Sequence, residues 1–138
     1  MKNKKAQTAT EFAVLISFIL LIFLVFLIVI QTKISQTLKE KNDLYAENML
    51  NTVVTEIRIA EAATDGYQRT FFVPYFLENG MPYNISIIGY NIGGELILTY
   101  QNEEKIIFLN NNINSSSIIK KGYNIINKKN GQITIRNV

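Results

Sequence analysis

The sequence predicts an α+β chain, with one long N-terminal α-helix packed on a small C-terminal antiparallel β-sheet. Three observations carry that prediction. Neither Gly nor Pro occurs from Met1 to Asp65, so nothing forces a break in a helix there. Apolar residues beyond Lys33 recur at helical spacing up to Gly66 and then change to alternation. The second half is punctuated by the turn dipeptides Asn79-Gly80, Gly93-Gly94 and Asn130-Gly131.

Residues 1–6 are polar and basic, with Lys2, Lys4 and Lys5. Phe12 to Ile30 is apolar except for Ser17 and is long enough to cross a bilayer. Lysines just ahead of a spanning helix favour a cytoplasmic N-terminus. After the run, Lys33, Lys39 and Lys41 are interleaved with Glu40 and Asp43. The run exceeds the roughly 7–15-residue core of a removable secretory signal. It ends Val29-Ile30-Gln31-Thr32 without a small-residue cleavage site, so the prediction is that it is retained.

Ile34, Leu38, Tyr45, Met49, Val53, Ile57 and Ala60 fall on one helical stripe, with Lys39, Glu40, Asp43, Glu47, Glu56 and Glu61 off it. Gly66 is the predicted stop. The predicted helix covers residues 7–65, with 12–30 as its membrane-spanning part and 31–65 as an amphipathic stem. At ~1.5 Å per residue it is roughly 85 Å long. Residues 66–138 form the predicted β head. Strand-like stretches are Tyr83–Ile87, Glu95–Tyr100, Lys105–Leu109, Tyr123–Ile126 and Gln132–Arg136, with turns at the dipeptides above and at Asn102-Glu103-Glu104. Pro74 and Pro82 bracket the segment leading in, and Asn110–Ser117 reads as a polar loop. The pattern predicts a single meander. A head of about 70 residues is marginal alone, so stem and sheet are expected to bury their apolar faces against each other as one folding unit.

Composition narrows the function. The chain has no Cys and no His, which excludes disulfides, thiolate or imidazole metal sites, and Cys–His or Ser–His–Asp machinery. No cofactor and no metal are expected, and the chain does not read as an enzyme. The net charge of +3 equals the three leader lysines, leaving the remainder neutral, so no nucleic-acid-binding face is predicted. Glu103-Glu104 reads as a solvated turn, Gly93-Gly94 as a hairpin turn, and Lys120-Lys121 and Lys128-Lys129 as solubilising charges flanking the last hairpin. Tyr67, Tyr75, Tyr83, Tyr90, Tyr100 and Tyr123 read as core or rim residues. Two glycosylation sequons occur, Asn84-Ile85-Ser86 and Asn114-Ser115-Ser116.

The most informative stretch is Lys4-Lys5-Ala6-Gln7-Thr8-Ala9-Thr10-Glu11-Phe12. Glu11 places a carboxylate where the apolar run begins, and a carboxylate at a bilayer centre costs about 2.5–3.5 kcal/mol. It is either solvated by headgroups or met by a positive partner. Basic residues, a small residue and then Gln-x-x-x-Glu-x-x-x-Leu opening an apolar helix resemble the class III signal peptide of archaeal type IV pilins. The matching residues are Lys5, Ala6, Gln7, Glu11 and Leu15. Many members have Ser two residues after the Gln, where this chain has Ala9.

The resemblance implies cleavage by a prepilin peptidase between Ala6 and Gln7, removing the cytoplasmic leader and keeping the helix. It implies a membrane-anchored precursor that an assembly ATPase and a membrane platform protein move into a helical homo-oligomer, an extracellular adhesion filament. It also implies that Glu11 pairs with an N-terminal amine. That pairing can run between subunits or within the chain, because Gln7 and Glu11 are one helical turn apart. On a surface filament Asn84 and Asn114 are glycosylation candidates. Alternatives are a minor pilin or pseudopilin that initiates or tips a filament, or an uncleaved single-pass surface binding module.

Overall fold

A computed structural model describes residues 2–90, 92–110 and 112–138, and the side chains from Gln7 onward. The fold is α+β. Helix α1 spans Lys2–Ala62, so its backbone runs through the basic leader and ends just short of Asp65. The chain divides into two compact units, the first ending at Lys41 and the second spanning Asn42–Val138.

The first unit is helix throughout its described residues, and every side chain from Gln7 to Lys41 is exposed. Ser17, Thr32 and Thr37 donate their hydroxyls to the carbonyls of Ala13, Ile28 and Lys33, at 2.8, 2.9 and 3.0 Å. Each of these hydroxyls therefore has a partner on its own helix. Ile34 and Leu38 are each 56% exposed, which corrects the predicted stripe. Their spacing suits a buried face, but periodicity does not decide whether a face is covered.

In the second unit, the last part of α1 buries Ala46, Met49, Leu50, Val53, Val54, Ile57 and Ala60. The stripe is real from Met49 to Ala60 and wider than predicted, since Ala46, Leu50 and Val54 join it while Tyr45 is half-buried. The strands are β1 (Gln68–Val73), β2 (Asn84–Gly89), β3 (Gly94–Tyr100), β4 (Glu103–Leu109), β5 (Gly122–Lys129) and β6 (Gln132–Asn137). They form two antiparallel sheets, β1-β5-β6 and β2-β3-β4, rather than the single meander predicted. The split comes from β1, which was not predicted as a strand. It pairs with β5 from Gln68 opposite Asn127 to Val73 opposite Gly122 and takes the last hairpin into a sheet of its own.

Each sheet turns one face to a common core with the helix stripe. The first contributes Phe71, Val73, Ile126, Ile133 and Ile135, and the second Ile87, Leu96, Leu98, Tyr100 and Leu109. Polar ties join helix to strands at three heights. Tyr100 donates its hydroxyl to Asp43. Glu56 pairs with Arg69 of β1 at 3.3 Å. Lys128 of β5 donates its ammonium to the carbonyls of Glu61 and Ala63, at 2.6 and 2.9 Å. Those carbonyls are orphaned at a helix C-terminus, where the dipole also favours a cation. Lys128 is thus a helix cap and not the solubilising charge predicted from its position. Gly66 (φ 92°) turns the chain out of the helix in a conformation that side chains disfavour.

Two hairpins close on two-residue turns with both central residues at positive φ, Gln101-Asn102 (44° and 63°) and Asn130-Gly131 (52° and 71°). Glu103 and Glu104 therefore begin β4 instead of lying in the turn. The predicted polar loop also differs. Ile113 and Ser117 are buried, and residues 112–118 run along the edge of β6 as a strap. Asn114 N–H donates to Ile133 O (2.8 Å), Ile133 N–H to Asn112 O (2.9 Å) and Ile118 N–H to Ile135 O (2.9 Å). A Cβ on Gly89 would lie 2.5 Å from the Asn114 carbonyl oxygen, so the end of β2 packs directly on this strap. The strap is what joins one sheet to the other.

Two outcomes follow for the full chain in detergent, with unfolding monitored by near-ultraviolet tyrosine circular dichroism. Ile57→Ala is expected to destabilise the second unit by about 2–5 kcal/mol, and Leu38→Ala to change it by less than about 0.5 kcal/mol. Equal losses would return Leu38 to the core. At alkaline pH, burial pushes the Tyr83 phenol up to about 12 from 10.0. Burial first, then the hydrogen bond and charge of Asp43, raises Tyr100 as well. Because the folded-state values lie above the unfolded one, the stabilisation is complete below pH 10.0 and disappears as pH rises towards 12. Tyr83→Phe should therefore lose stability less steeply over that window than the parent chain.

Candidate functional site

The residues singled out at the N-terminus open the exposed helix. Lys2, Lys4, Lys5 and Ala6 lie in helical backbone, and their side chains fall outside the described residues. Gln7 and Glu11 are brought together, because four residues make one turn of helix. The Gln7 amide donates to Glu11 Oε1 at 3.2 Å. The carboxylate is thereby engaged by a neutral group of its own chain.

Beyond Glu11 the helix presents an unbroken apolar surface. From Phe12 (64% exposed) to Ile30 (39%) no large apolar side chain is buried. The side chains are Phe, Leu, Ile and Val on every face, which suits hydrocarbon or a bundle of like helices and does not suit water. Helix α1 from Gln7 is long and apolar enough to cross a membrane, by length and composition.

The two sequons lie in different settings. Asn84 opens β2, opposite Thr99 of β3, and is exposed together with Ser86, two residues along on the same face. Asn114 is half-buried in the strap. Its Nδ2 donates to Gln132 Oε1 at 2.8 Å, and its Oδ1 accepts from Ser116 N–H (2.8 Å) and Ser116 Oγ (2.6 Å). This is an Asx turn that fixes the strap on β6.

The tyrosines divide as core and rim. Tyr83 and Tyr100 are buried, whereas Tyr75, Tyr90 and Tyr123 are exposed. One grouping was not predicted. Phe72 of β1 lies edge-on to Tyr123 of β5 (centroids 5.1 Å apart) and to Tyr75 (6.0 Å) on the outer face of the first sheet. Beside it a cavity of about 300 Å³ is lined by Tyr45, Met49, Phe72, Pro74, Phe76 and Leu77 together with the polar Asn48, Thr52 and Glu78. The doublet Phe71-Phe72 was the available signal, since adjacent strand residues face opposite ways. Among the described residues no cluster of carboxylates is arranged to hold a metal ion. Most of the cavity lining is apolar.

No family model, curated protein or solved structure matches the chain.

The geometry makes the two sequon asparagines unequal. Asn114→Ala removes three side-chain hydrogen bonds and is expected to destabilise the second unit by about 1–3 kcal/mol. Asn84→Ala is expected to stay within about 0.5 kcal/mol of the parent. Thermal melting of both variants in the same detergent decides it, and equal melting points would refute the structural role of Asn114.

Proposed function

We propose that this chain is the precursor of a structural subunit of an archaeal type IV pilus, an adhesion filament on the cell surface. The observation that carries the reading is the helix surface from Phe12 to Ile30, unburied throughout and introduced by Ala6, Gln7 and Glu11. Full burial of a Val, Leu, Ile or Phe side chain is worth about 1.5–3 kcal/mol. A surface of this size therefore needs a non-aqueous surrounding. The bilayer supplies it before assembly, with the lysine-rich leader held in the cytoplasm. Copies of the same helix supply it afterwards. A head-to-tail contact that does not close into a ring yields an open helical filament, with the β-rich second unit available for surface contacts.

In this reading a prepilin peptidase cuts between Ala6 and Gln7, and Gln7 acquires an α-amine. Glu11, already drawn to the Gln7 side chain at 3.2 Å, then has a cation within one turn of its own helix or on a neighbouring subunit. A carboxylate removed from water requires such a partner. The assembly ATPase and platform protein provide the work of extraction, and the chain itself performs no catalysis.

Filaments sheared from the cell surface should yield a chain whose N-terminal residue is Gln7, by Edman sequencing and intact mass. A chain beginning at Met1 and confined to membranes would leave a single-pass surface module in its place. Glu11→Ala should insert and fold normally yet reduce filament yield at least tenfold by electron microscopy and immunoblot of sheared material. Normal filaments from that variant would remove the amine-pairing role.

A further inference from the structure

We propose that Asn84, and not Asn114, is the attachment site of an N-linked glycan, and that the glycan shields the uncharged free edge of β2. The inference rests on the export of the second unit proposed above. Both asparagines satisfy the acceptor pattern Asn-x-Ser/Thr. The pattern makes no distinction between them, and their surroundings do.

Attachment requires one hydrogen of the asparagine amide nitrogen to be approachable from solvent. The Nδ2 of Asn114 is donated to Gln132 at 2.8 Å, and its Oδ1 holds both the amide and the hydroxyl of Ser116. The hydroxyl that completes the sequon is therefore folded back on the asparagine. The backbone of the same residue is fixed to Ile133 and packed under Gly89. The turn runs through Oδ1, so a sugar would have to be carried on the second Nδ2 hydrogen of a half-buried side chain that already holds Gln132 and Ser116. Asn84 has none of these ties among the described residues. It begins an edge strand, with Asn84 and Ser86 exposed on one face and the intervening Ile85 half-buried on the other. The strand's alternation thus presents acceptor and hydroxyl together.

The edge itself supplies a second, independent reason. Exposed strand edges template association unless charge, proline or a covering segment blocks them. Sheet β1-β5-β6 is edged by β1, which carries Arg69 and stops at Val73 just before Pro74, and by β6, which the strap covers. Sheet β2-β3-β4 is edged by β4, which carries Glu103, Glu104 and Lys105. Its other edge, β2, reads Asn84-Ile85-Ser86-Ile87-Ile88-Gly89 and has neither charge nor proline. A bulky hydrated group on Asn84 would supply the missing block.

The chemistry is a transfer from a lipid-phosphate-linked oligosaccharide, catalysed by an extracytoplasmic oligosaccharide transferase. The Asn84 Nδ2–C1 bond forms as the bond from C1 to the phosphate oxygen breaks. The electron pair of that bond leaves with the lipid phosphate, and one amide proton passes to a base of the transferase.

The test is glycopeptide mapping and intact mass of the full chain recovered from the cells that produce it, with external protease applied to intact cells in parallel. The expected result is added sugar mass on the peptide containing Asn84, none on the peptide containing Asn114, and complete loss of that mass in Asn84→Gln but not in Asn114→Gln. Sugar on Asn114, or an unmodified Asn84 in a chain whose second unit external protease reaches, overturns the glycan proposal and leaves the export reading standing. A second unit sheltered from protease overturns the export reading and the glycan with it.

Discussion

A three-stranded sheet is close to the lower limit of independent stability, and the second unit contains two of them. What each lacks is a surface on which to bury its apolar face, and one stripe of helix, from Ala46 to Ala60, supplies it for both. The polar ties are placed around that contact. Asp43 meets Tyr100 of the second sheet, Glu56 meets Arg69 of the first, and Lys128 closes the helix end. Removing the stripe would leave two sheets joined mainly by the strap at residues 112–118.

Continuing the same helix towards the N-terminus reverses the requirement. From Gln7 to Lys41 nothing is buried, although Phe12 to Ile30 is more apolar than the stripe itself. A long helix that is apolar on every face has no solution as an isolated soluble element. The hydroxyls of Ser17 and Thr32 are returned to their own backbone, an arrangement compatible with a dry environment. The two parts of α1 thus satisfy one constraint, burial of apolar surface, by different means. One finds its partner in the chain, and the other is left exposed among the described residues.

Much of this was readable in the sequence. The absence of Gly and Pro before Gly66 and the change from helical to alternating periodicity locate the helix and most of the strands. Gln7 and Glu11 are legible as a pair because their spacing alone sets them one turn apart. What was illegible has physical causes. Strand β1, Gln-Arg-Thr-Phe-Phe-Val, hides its alternation because Phe71 faces the core while Phe72 faces outward, and Arg69 faces Glu56. Its partner β5 lies far along the chain, so no local turn signal announces the pairing that divides the sheet. Ile34 and Leu38 fit the stripe's arithmetic, but periodicity reports which residues share a face and not whether anything covers it. The strap looked polar because Asn112, Asn114 and the serines dominate it, yet their hydrogen bonds to β6 are what allow Ile113 to be buried.

The carboxylates along α1 sharpen the case for an external partner at its beginning. Asp43 accepts from a buried phenol and Glu56 faces a guanidinium. Just past the helix end, Asp65 accepts the Gly131 amide at 3.0 Å. Each is held by a group that the fold brings from a distant strand or turn. Glu11 is engaged by a neutral amide from its own helix, at the edge of the most apolar surface in the chain. In water that suffices. Where Phe12 and its neighbours leave water, a desolvated carboxylate either takes up a proton or meets a cation, and the cut proposed before Gln7 would supply that cation within one turn. In the proposed pilus reading, processing and assembly are linked by electrostatics: the cut that would remove the basic leader would also create the charge that admits Glu11 to an apolar core.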